Sequence, residues 1–180
     1  MSKLQDNLQT VGASINKMAQ QHQRKTSNIQ LLAVSKRHPA DKIEEAFKLG
    51  QKSFGENYVQ ELLEKAKCLQ HLSIEWHFIG PLQSNKTKVI AEAVSWVHAI
   101  DRLKIAERLS NQRPEKLAPL NICIQVNISN ETSKSGVTID DVEALAKEIS
   151  KLSRLKLRGL MVIPSPEIDF DKQRSAFAKL

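Results

Sequence analysis

The sequence predicts an α/β protein built from repeated β/α units around a parallel sheet of the barrel type. Short apolar runs alternate with segments of helical periodicity, which is typical of a parallel sheet. The first four runs follow one another at intervals of 21 or 22 residues. Such short, regular units favour a β/α barrel over a doubly wound sheet. The six runs begin near Leu31, Ser53, Glu75, Trp96, Asn121 and Leu157.

The first strand and the turn after it argue against a dinucleotide-binding fold. That fold carries a glycine-rich phosphate turn directly after its first strand. The stretch SKRHPA, which follows the run at Leu31, contains no glycine. The barrel therefore remains the predicted architecture.

An amphipathic helix precedes the first strand. Its apolar residues recur at spacings of three and four and form one stripe. The helix after the first strand opens at Pro39 and closes at Gly50, residue types that are favoured at those ends. The stripe of the first helix consists of Leu4, Leu8, Val11, Ile15 and Met18.

The later helices follow from the same periodicity. Three of them are centred on the apolar residues of 59–69, 89–94 and 103–109. The next begins at TIDD, where Thr138 caps the helix and Asp141 completes a capping-box arrangement. A final helix begins near Phe170 and runs to the end of the chain.

Length and composition indicate one soluble globular domain. The chain has 180 residues, of which 41% are hydrophobic and 26% charged, and it has no apolar stretch that could span a membrane. Its net charge is +7, but basic and acidic residues are interleaved, as in ELLEKAK, which is typical of solvated helix faces rather than of nucleic-acid binding. Cys68 and Cys123 form no metal or redox motif, which indicates reduced thiols.

Polar residues follow the predicted strands at their carboxyl ends, where barrels carry their binding and catalytic groups. The pattern leaves two interpretations of Lys36 open. It is either a solvated surface lysine or an amine whose pKa is lowered by burial, so that it attacks carbonyl groups and forms Schiff bases. The strand-end candidates are Lys36, Asn57, His77 or Gly80, Asp101, Asn127 and Pro164.

The other candidates have ordinary alternatives too. Asn57 either contributes a polar group to the site or begins the next helix. His77, between two aromatic residues, is either a hydrogen-bonded core histidine or a proton carrier. Lys134, in the polar loop after the fifth strand, is either solvated or a second amine beside the barrel mouth.

Six motifs occur in order and in register from about residue 28 to residue 168. Together they resemble the motifs of the pyridoxal phosphate homeostasis proteins, and FGENYVQE and WHFIGPLQSNK are very specific to that family. The motifs are LLAVSK, FGENYVQE, EWHFIGPLQSNK, IDRLKIAERL, QVNIS followed by SKSG, and LRGLM followed by a proline.

The resemblance implies the β/α barrel of the fold-type III pyridoxal phosphate proteins, the relatives of alanine racemase's N-terminal domain. Lys36 matches the family lysine that holds pyridoxal 5'-phosphate as a Schiff base. Asn57, His77 and Met161 are candidate contacts to the cofactor, and Lys134 is a candidate secondary lysine.

The family also implies a role and a location. Its members are single-domain, cytoplasmic proteins that are regarded as lacking catalysis of their own. A carrier or buffer of pyridoxal 5'-phosphate is therefore expected, with no metal, with pyridoxal phosphate-dependent apoenzymes as partners, and as a monomer in its full-length fold.

The chain departs from the family at its end. Relatives continue with two further β/α units that grip the cofactor phosphate, whereas this chain stops at SAFAKL. We therefore expect residues 1–180 to form one domain with an extra N-terminal helix and about six of the eight β/α units. Its open sheet edges would favour self-association, and we expect marginal stability and weak cofactor binding.

Two alternatives to a non-catalytic carrier are open. One is a racemase-like amino-acid enzyme that uses Lys36, with His77 or Lys134 as the proton carrier. The other is a truncated remnant with weak or no cofactor binding. Racemisation needs acid and base groups on opposite faces of the substrate Cα. Alanine racemase takes part of its site from a second domain, for which this chain has no room, so the carrier is the leading interpretation.

Overall fold

The computed structural model of the chain describes residues 2–129 and 135–180. These residues form an N-terminal helix followed by six β/α units, as the periodicity predicts. The strands are β1 (Ala33–Val34), β2 (Ser53–Glu56), β3 (Glu75–Phe78), β4 (Trp96–Ile100), β5 (Leu120–Gln125) and β6 (Leu155–Met161). The helices are α1 (Lys3–Gln21), α2 (Ala40–Lys48), α3 (Val59–Cys68), α4 (Thr87–Ala93), α5 (Leu103–Gln112), α6 (Val142–Ile149) and α7 (Phe170–Phe177).

The six strands form one parallel sheet in which each strand pairs with its neighbours in the sequence, in the order β1 to β6. Phe54 of β2, for example, lies opposite Ala33 on one side and Trp76 on the other. Parallel neighbours require a crossover connection, and α2 to α6 provide it. Within the described residues, β1 and β6 each have one edge without a neighbouring strand. The predicted parallel arrangement of β/α units is confirmed, and the sheet is open.

The helix ends agree with the sequence in one case and differ in another. α2 begins directly after Pro39, and Gly50 follows the helix with a φ of 101°, a left-handed conformation that glycine adopts without strain. α6 begins later than predicted. The Thr138 hydroxyl donates to Asp141 Oδ2 at 2.7 Å, but this bond closes a turn, and the helix itself begins at Val142.

The hydrophobic core lies between one face of the sheet and the helices. Ile122 and Ile124 of β5 are fully buried there, while Asn121 and Gln125 lie on the opposite face and are half-buried. This division follows because successive side chains of a strand point to opposite faces. We call the face turned away from the helices the inner face. Its polar and aromatic side chains include Ser53, Glu75, His77, Trp96, His98, Asn121 and Gln125.

Both cysteines are free thiols. Cys68 is an exposed free thiol and Cys123 a buried one. Burial raises the pKa of the Cys123 thiol, so this side chain is a poor nucleophile.

In the part of the chain that the structure describes, no helix is both long enough and apolar enough to cross a bilayer.

Candidate functional site

The strand-end candidates form a row along the side of the sheet where the strands end, because parallel strands all have their carboxyl ends on the same side. Lys36 follows β1, and Asn57 and Asp101 directly follow β2 and β4. Met161 is the last residue of β6. Since β1 and β6 are the outer strands, Lys36 and Met161 belong to the two ends of this row.

Lys36 lies two residues beyond β1, in a turn, and is exposed, which agrees with the interpretation as a solvated lysine and not with an amine buried by the fold. Among the described residues its amine makes no hydrogen bond and no ion pair. The N–H of His38 donates to the Ser35 carbonyl at 3.0 Å and closes the turn. Arg37 has a φ of 63°, a left-handed conformation that is uncommon for a residue other than glycine. The backbone around Lys36 is thus closely defined, while its amine is available to a ligand.

An ionic cluster of Lys65, Glu56 and Glu61, here called the Lys65 cluster, lies behind this turn. Lys65 and Glu56 are buried, and the Glu61 side chain is 25% exposed. The Lys65 ammonium donates to Glu56 Oε1 at 2.7 Å and to Glu61 Oε1 at 2.6 Å. It also donates to the Ser35 carbonyl at 2.8 Å, so it has an acceptor for each of its three N–H groups. The interpretation of ELLEKAK as a solvated face is wrong at Lys65, whose side chain is only 8% exposed.

Glu56 directs its carboxylate toward α3 and not toward the strand-end row. It is fully buried, and its Oε1 accepts a hydrogen bond of 2.6 Å from the Ser35 hydroxyl as well as the bond from Lys65. The hydrogen bond from Lys65 is the main reason why the pKa of Glu61 is lowered. The cluster therefore connects the end of β1, the end of β2 and α3 through charged hydrogen bonds.

Asn57 lines a cleft of about 630 Å³ at the ends of β2, β3 and β4. The backbone of Gly80 approaches it so closely that a Cβ at Gly80 would lie 2.2 Å from the Asn57 carbonyl oxygen. Such a close approach requires glycine. Arg102, also in this cleft, pairs with Asp101 at 2.7 Å. Lys36 does not line this cleft. The structure therefore places Lys36 and Asn57 in neighbouring but separate environments.

His77 lies within β3 and not at its end. Its Nε2 is 3.1 Å from Glu75 Oε2, and its Nδ1 is 2.9 Å from His98 Nε2. The ring stacks on Trp96, with 5.4 Å between centroids and 10° between planes. Because the side chain is buried and both of its nitrogens are engaged, the structure favours the hydrogen-bonded core histidine over the proton carrier.

Burial and hydrogen bonding set the charge states on the inner face. Burial alone would raise the pKa of Glu75, but hydrogen bonds from neighbours, with Ser53 foremost, outweigh it and lower this pKa to about 2. Burial, reinforced by His77, lowers the pKa of His98 to about 4. Burial also lowers the pKa of His77, against the opposing effect of Glu75. At neutral pH, then, Glu75 is ionised and both imidazoles are neutral.

These charge states agree with the hydrogen-bond directions. A neutral His77 that donates from Nε2 to Glu75 leaves its Nδ1 as an acceptor for the Nε2–H of His98. Sequence reasoning missed Glu75 and His98 as parts of this cluster. A signal was present in the spacing. Glu75 and His77 are two residues apart on one strand, and Trp96 and His98 are two residues apart on the next, which places each pair on one face of the sheet.

The remaining candidates are Met161 and Lys134. Met161 is half-buried and lies opposite Gln125 of β5. Lys134 lies outside the described residues. As for metals, the described residues contain no group of three or more His, Cys, Asp or Glu side chains that could hold an ion.

Comparison with known proteins places the chain among relatives along nearly its whole length. The family described as alanine racemase, N-terminal domain, matches residues 7–180. The pyridoxal phosphate homeostasis protein of Pseudomonas aeruginosa is 52% identical over 180 residues, which cover 100% of this chain and 78% of the relative.

Solved structures show the same likeness. PipY of Synechococcus elongatus PCC7942, solved with PLP bound, is 35% identical with a TM-score of 0.78, and the match covers 92% of this chain and 77% of PipY. Alanine racemase from Corynebacterium glutamicum is 15% identical with a TM-score of 0.62, over 83% of this chain and 43% of that one, which shows a shared fold alone. The predicted class, an incomplete α/β barrel of the alanine racemase type, is confirmed.

Proposed function

Since the chain belongs to the alanine racemase N-terminal domain family and, within it, to the pyridoxal phosphate homeostasis proteins, we propose that it binds pyridoxal 5'-phosphate through Lys36. In this proposal it acts as a carrier or buffer in intracellular pyridoxal phosphate homeostasis. The observation that carries the proposal is the Lys36 amine, which is exposed at a strand end and has no hydrogen bond or ion pair among the described residues.

The side chains at this place fit the aldehyde of such a cofactor. Covalent capture of an aldehyde needs an amine that is not engaged by a carboxylate. Lys36 has no carboxylate partner among the described residues, whereas Lys65 nearby is paired with Glu56 and Glu61. When bound, pyridoxal 5'-phosphate supplies a reactive aldehyde and an electron-withdrawing ring. In the proposed site Lys36 attaches it. Asn57 and Met161 stay candidate contacts, but Asn57 lines a cleft that Lys36 does not line, and Met161 ends the outer strand opposite β1.

The remaining candidates take lesser parts in the proposal. His77 supports the site from within the sheet, through its bonds to Glu75 and His98. Lys134 is retained as a candidate secondary lysine. No catalytic residue is assigned, because the engaged nitrogens of His77 leave it no ready proton-transfer role, and nothing among the described residues favours the racemase-like alternative.

The proposed setting is the cytoplasm. The free thiols of Cys68 and Cys123 support a reducing compartment. Residues 1–180 act in the proposal as a single cofactor-binding domain, and pyridoxal phosphate-dependent apoenzymes are the proposed acceptors. Transfer is testable by mixing the loaded protein with such an apoenzyme and measuring how fast the enzyme's activity returns compared with free cofactor.

The attachment site is tested by spectroscopy and chemical trapping. The chain is mixed with pyridoxal 5'-phosphate, reduced with borohydride and mapped by mass spectrometry. We expect label at Lys36, loss of the visible absorbance band in Lys36→Ala, and its retention in Lys48→Ala, which removes another exposed lysine. A Lys36→Ala protein with an unchanged band would overturn the assignment.

The contribution of the phosphate is tested with pyridoxal, which lacks it. Phosphate recognition depends on several aligned donors, and the family places these in two further β/α units. We therefore expect the 180-residue chain to bind pyridoxal and pyridoxal 5'-phosphate with affinities within about ten-fold of each other, since ten-fold corresponds to little more than one good hydrogen bond. A much larger preference for the phosphorylated form would contradict this expectation.

A further inference from the structure

Both peptide groups that flank Lys36 are hydrogen-bonded to the Lys65 cluster. The carbonyl of Ser35 belongs to the peptide before Lys36, and it accepts a bond of 2.8 Å from Lys65 Nζ. The N–H of Arg37 belongs to the peptide after Lys36, and it donates to Glu61 Oε1 at 2.6 Å. Because peptide groups are planar, the two planes on either side of a Cα define its φ and ψ. The cluster therefore holds the backbone of Lys36 from both sides.

The Lys65 cluster is itself rigidly held. Lys65 and Glu61 are one turn apart on α3 and form an ion pair at 2.6 Å. Glu56 reaches the same ammonium from β2 at 2.7 Å, and it also receives the Ser35 hydroxyl at 2.6 Å. Charged hydrogen bonds are short and strong where water is excluded, which holds for the bond between Lys65 and Glu56, while Glu61 is 25% exposed. The turn is thus fastened to both the sheet and α3.

The conformation of Arg37 indicates that this fastening is needed. A left-handed φ of 63° is disfavoured for a residue with a Cβ, so an isolated turn would leave it. The bond from Arg37 N–H to Glu61, together with the bond from His38 N–H to the Ser35 carbonyl, holds the turn in place. The side chain of Lys36 receives no such support, because its amine has no partner among the described residues.

We propose that the Lys65 cluster positions the Lys36 amine, by fixing the two peptide groups around Lys36 and hence the direction in which its side chain leaves the turn. The proposal rests on the proposed function, in which Lys36 is the attachment residue. Glu56, Glu61 and Lys65 are positioning residues, since their effect on a bound aldehyde passes through the backbone of Lys36.

The first test measures the turn without any cofactor. Amide hydrogen exchange is followed in the full 180-residue chain and in Glu61→Ala, with Glu64→Ala as the control. Glu64 lies on the same helix but is exposed, and within the described part of the chain its carboxylate accepts a hydrogen bond from Gln60 alone. We expect the Arg37 amide to exchange about ten-fold faster or more in Glu61→Ala, because its charged hydrogen-bond acceptor is lost. We expect its exchange to be unchanged in Glu64→Ala.

A milder variant keeps the test decisive if Glu61→Ala folds poorly. Glu61→Gln retains an oxygen that accepts from Arg37 but loses the ion pair with Lys65. We expect Arg37 protection between those of the wild type and Glu61→Ala. Unchanged exchange at Arg37 in folded Glu61→Ala, or in Glu61→Gln if that is the variant that folds, overturns the inference.

The second test uses pyridoxal 5'-phosphate as the probe. Borohydride-trapped label at Lys36 is measured relative to label at exposed Lys48, together with the circular dichroism of the cofactor's visible band. We expect Glu61→Ala to lower the ratio several-fold and weaken the dichroism, with Glu61→Gln restoring part of both. Unchanged ratio and dichroism in a folded variant overturn the positioning role.

The two tests separate this inference from the proposed function. If the wild type takes no label at Lys36, the attachment site is wrong, and with it the role of the cluster in binding. The amide exchange result still decides whether the cluster fixes the turn. If Lys36 is labelled alike in the wild type and in a folded Glu61→Ala, the attachment site stands and the positioning role fails.

Discussion

Lys65 Nζ and Glu56 Oε1 lie 2.7 Å apart, and their side chains are 8% and 0% exposed. Taking both charges out of water carries a large desolvation cost, which their attraction offsets only while both are present. Losing Lys65 therefore leaves the buried Glu56 carboxylate without its cationic partner, with the Ser35 hydroxyl as a donor. This makes the pair a sensitive point in the stability of the end of β1, whose Ser35 carbonyl shares the same ammonium.

We expect Lys65→Met to lower the free energy of unfolding by about 3–5 kcal/mol, the usual effect of breaking a buried pair on one side. Urea unfolding followed by circular dichroism measures it. Lys48→Met is the control, because Lys48 pairs with Glu44 at the i,i+4 spacing that Lys65 has with Glu61 but is exposed, and such exposed pairs contribute less than about 1 kcal/mol. Equal effects of the two substitutions would show that burial of the Lys65 pair is energetically unimportant.

The depressed pKa of His98 predicts a loss of stability in mild acid. Its pKa is about 4 in the folded protein, against 6.5 ordinarily, so between these pH values the unfolded chain binds the additional proton. The free energy of unfolding then falls as pH decreases from 6.5 toward 4, by up to about 3 kcal/mol from this residue. His77 contributes in the same direction, and Glu75 stays ionised over this range because its pKa is about 2.

The variant His98→Gln isolates this contribution. Its amide still donates to His77 Nδ1 but does not titrate. We expect the difference in unfolding free energy between pH 7.5 and pH 5 to be smaller in His98→Gln than in the wild type. His22→Gln, at an exposed position, is the control and should leave the difference unchanged. A difference of wild-type size in His98→Gln would contradict the prediction.

Two glycines should respond in opposite ways to alanine. A Cβ at Gly80 meets the Asn57 backbone at 2.2 Å, whereas one at Gly12 of α1 meets nothing within 4 Å. We expect Gly80→Ala to destabilise by about 1–3 kcal/mol through overpacking and Gly12→Ala to stabilise by about 1 kcal/mol through helix propensity. Thermal and urea unfolding measure both. A Gly80→Ala protein of wild-type stability would show that the ends of β2 and β3 separate easily.

The outer edges of β1 and β6, which are unpaired among the described residues, predict self-association of the 180-residue chain. Val34 on β1 is 47% exposed and Leu160 on β6 is 39% exposed, and unpaired edges with apolar side chains invite strand pairing. We expect sedimentation velocity to show association that grows with concentration and is reduced by Val34→Lys. Val11→Lys is the control, since Val11 is 43% exposed but lies on α1. Equal effects of the two lysines would point to general charge repulsion.

The order of elements was predictable because each β/α unit carries its own pattern. Along β5 the sequence alternates between Ile122 and Ile124 on the core face and Asn121 and Gln125 on the inner face, since burial on one face selects apolar residues at every second position. The extent of β1 was less predictable. The apolar run begins at Leu31, but only Ala33–Val34 is a strand.

Only those features of the site that follow from a residue's position along the chain were predictable. Lys36 and Asn57 follow strand ends, as the pattern implies. The surroundings of Lys65 and His77 depend on residues from other elements: Glu56 of β2 lies beneath α3, and His98 of β4 meets His77. Spacing along one element detects the Glu61–Lys65 pair, but it does not detect a partner more distant in sequence that is brought close by the fold.

The pairing of every strand with its sequence neighbour has a consequence for biosynthesis. A nascent chain that has emerged from the ribosome through Gln125 already contains each strand that β1, β2, β3 and β4 pair with. Because such pairings close only short loops, the sheet is able to grow one unit at a time from the N-terminus during translation. The turn that carries Lys36 and the helix that supplies Lys65 are both among its earliest parts.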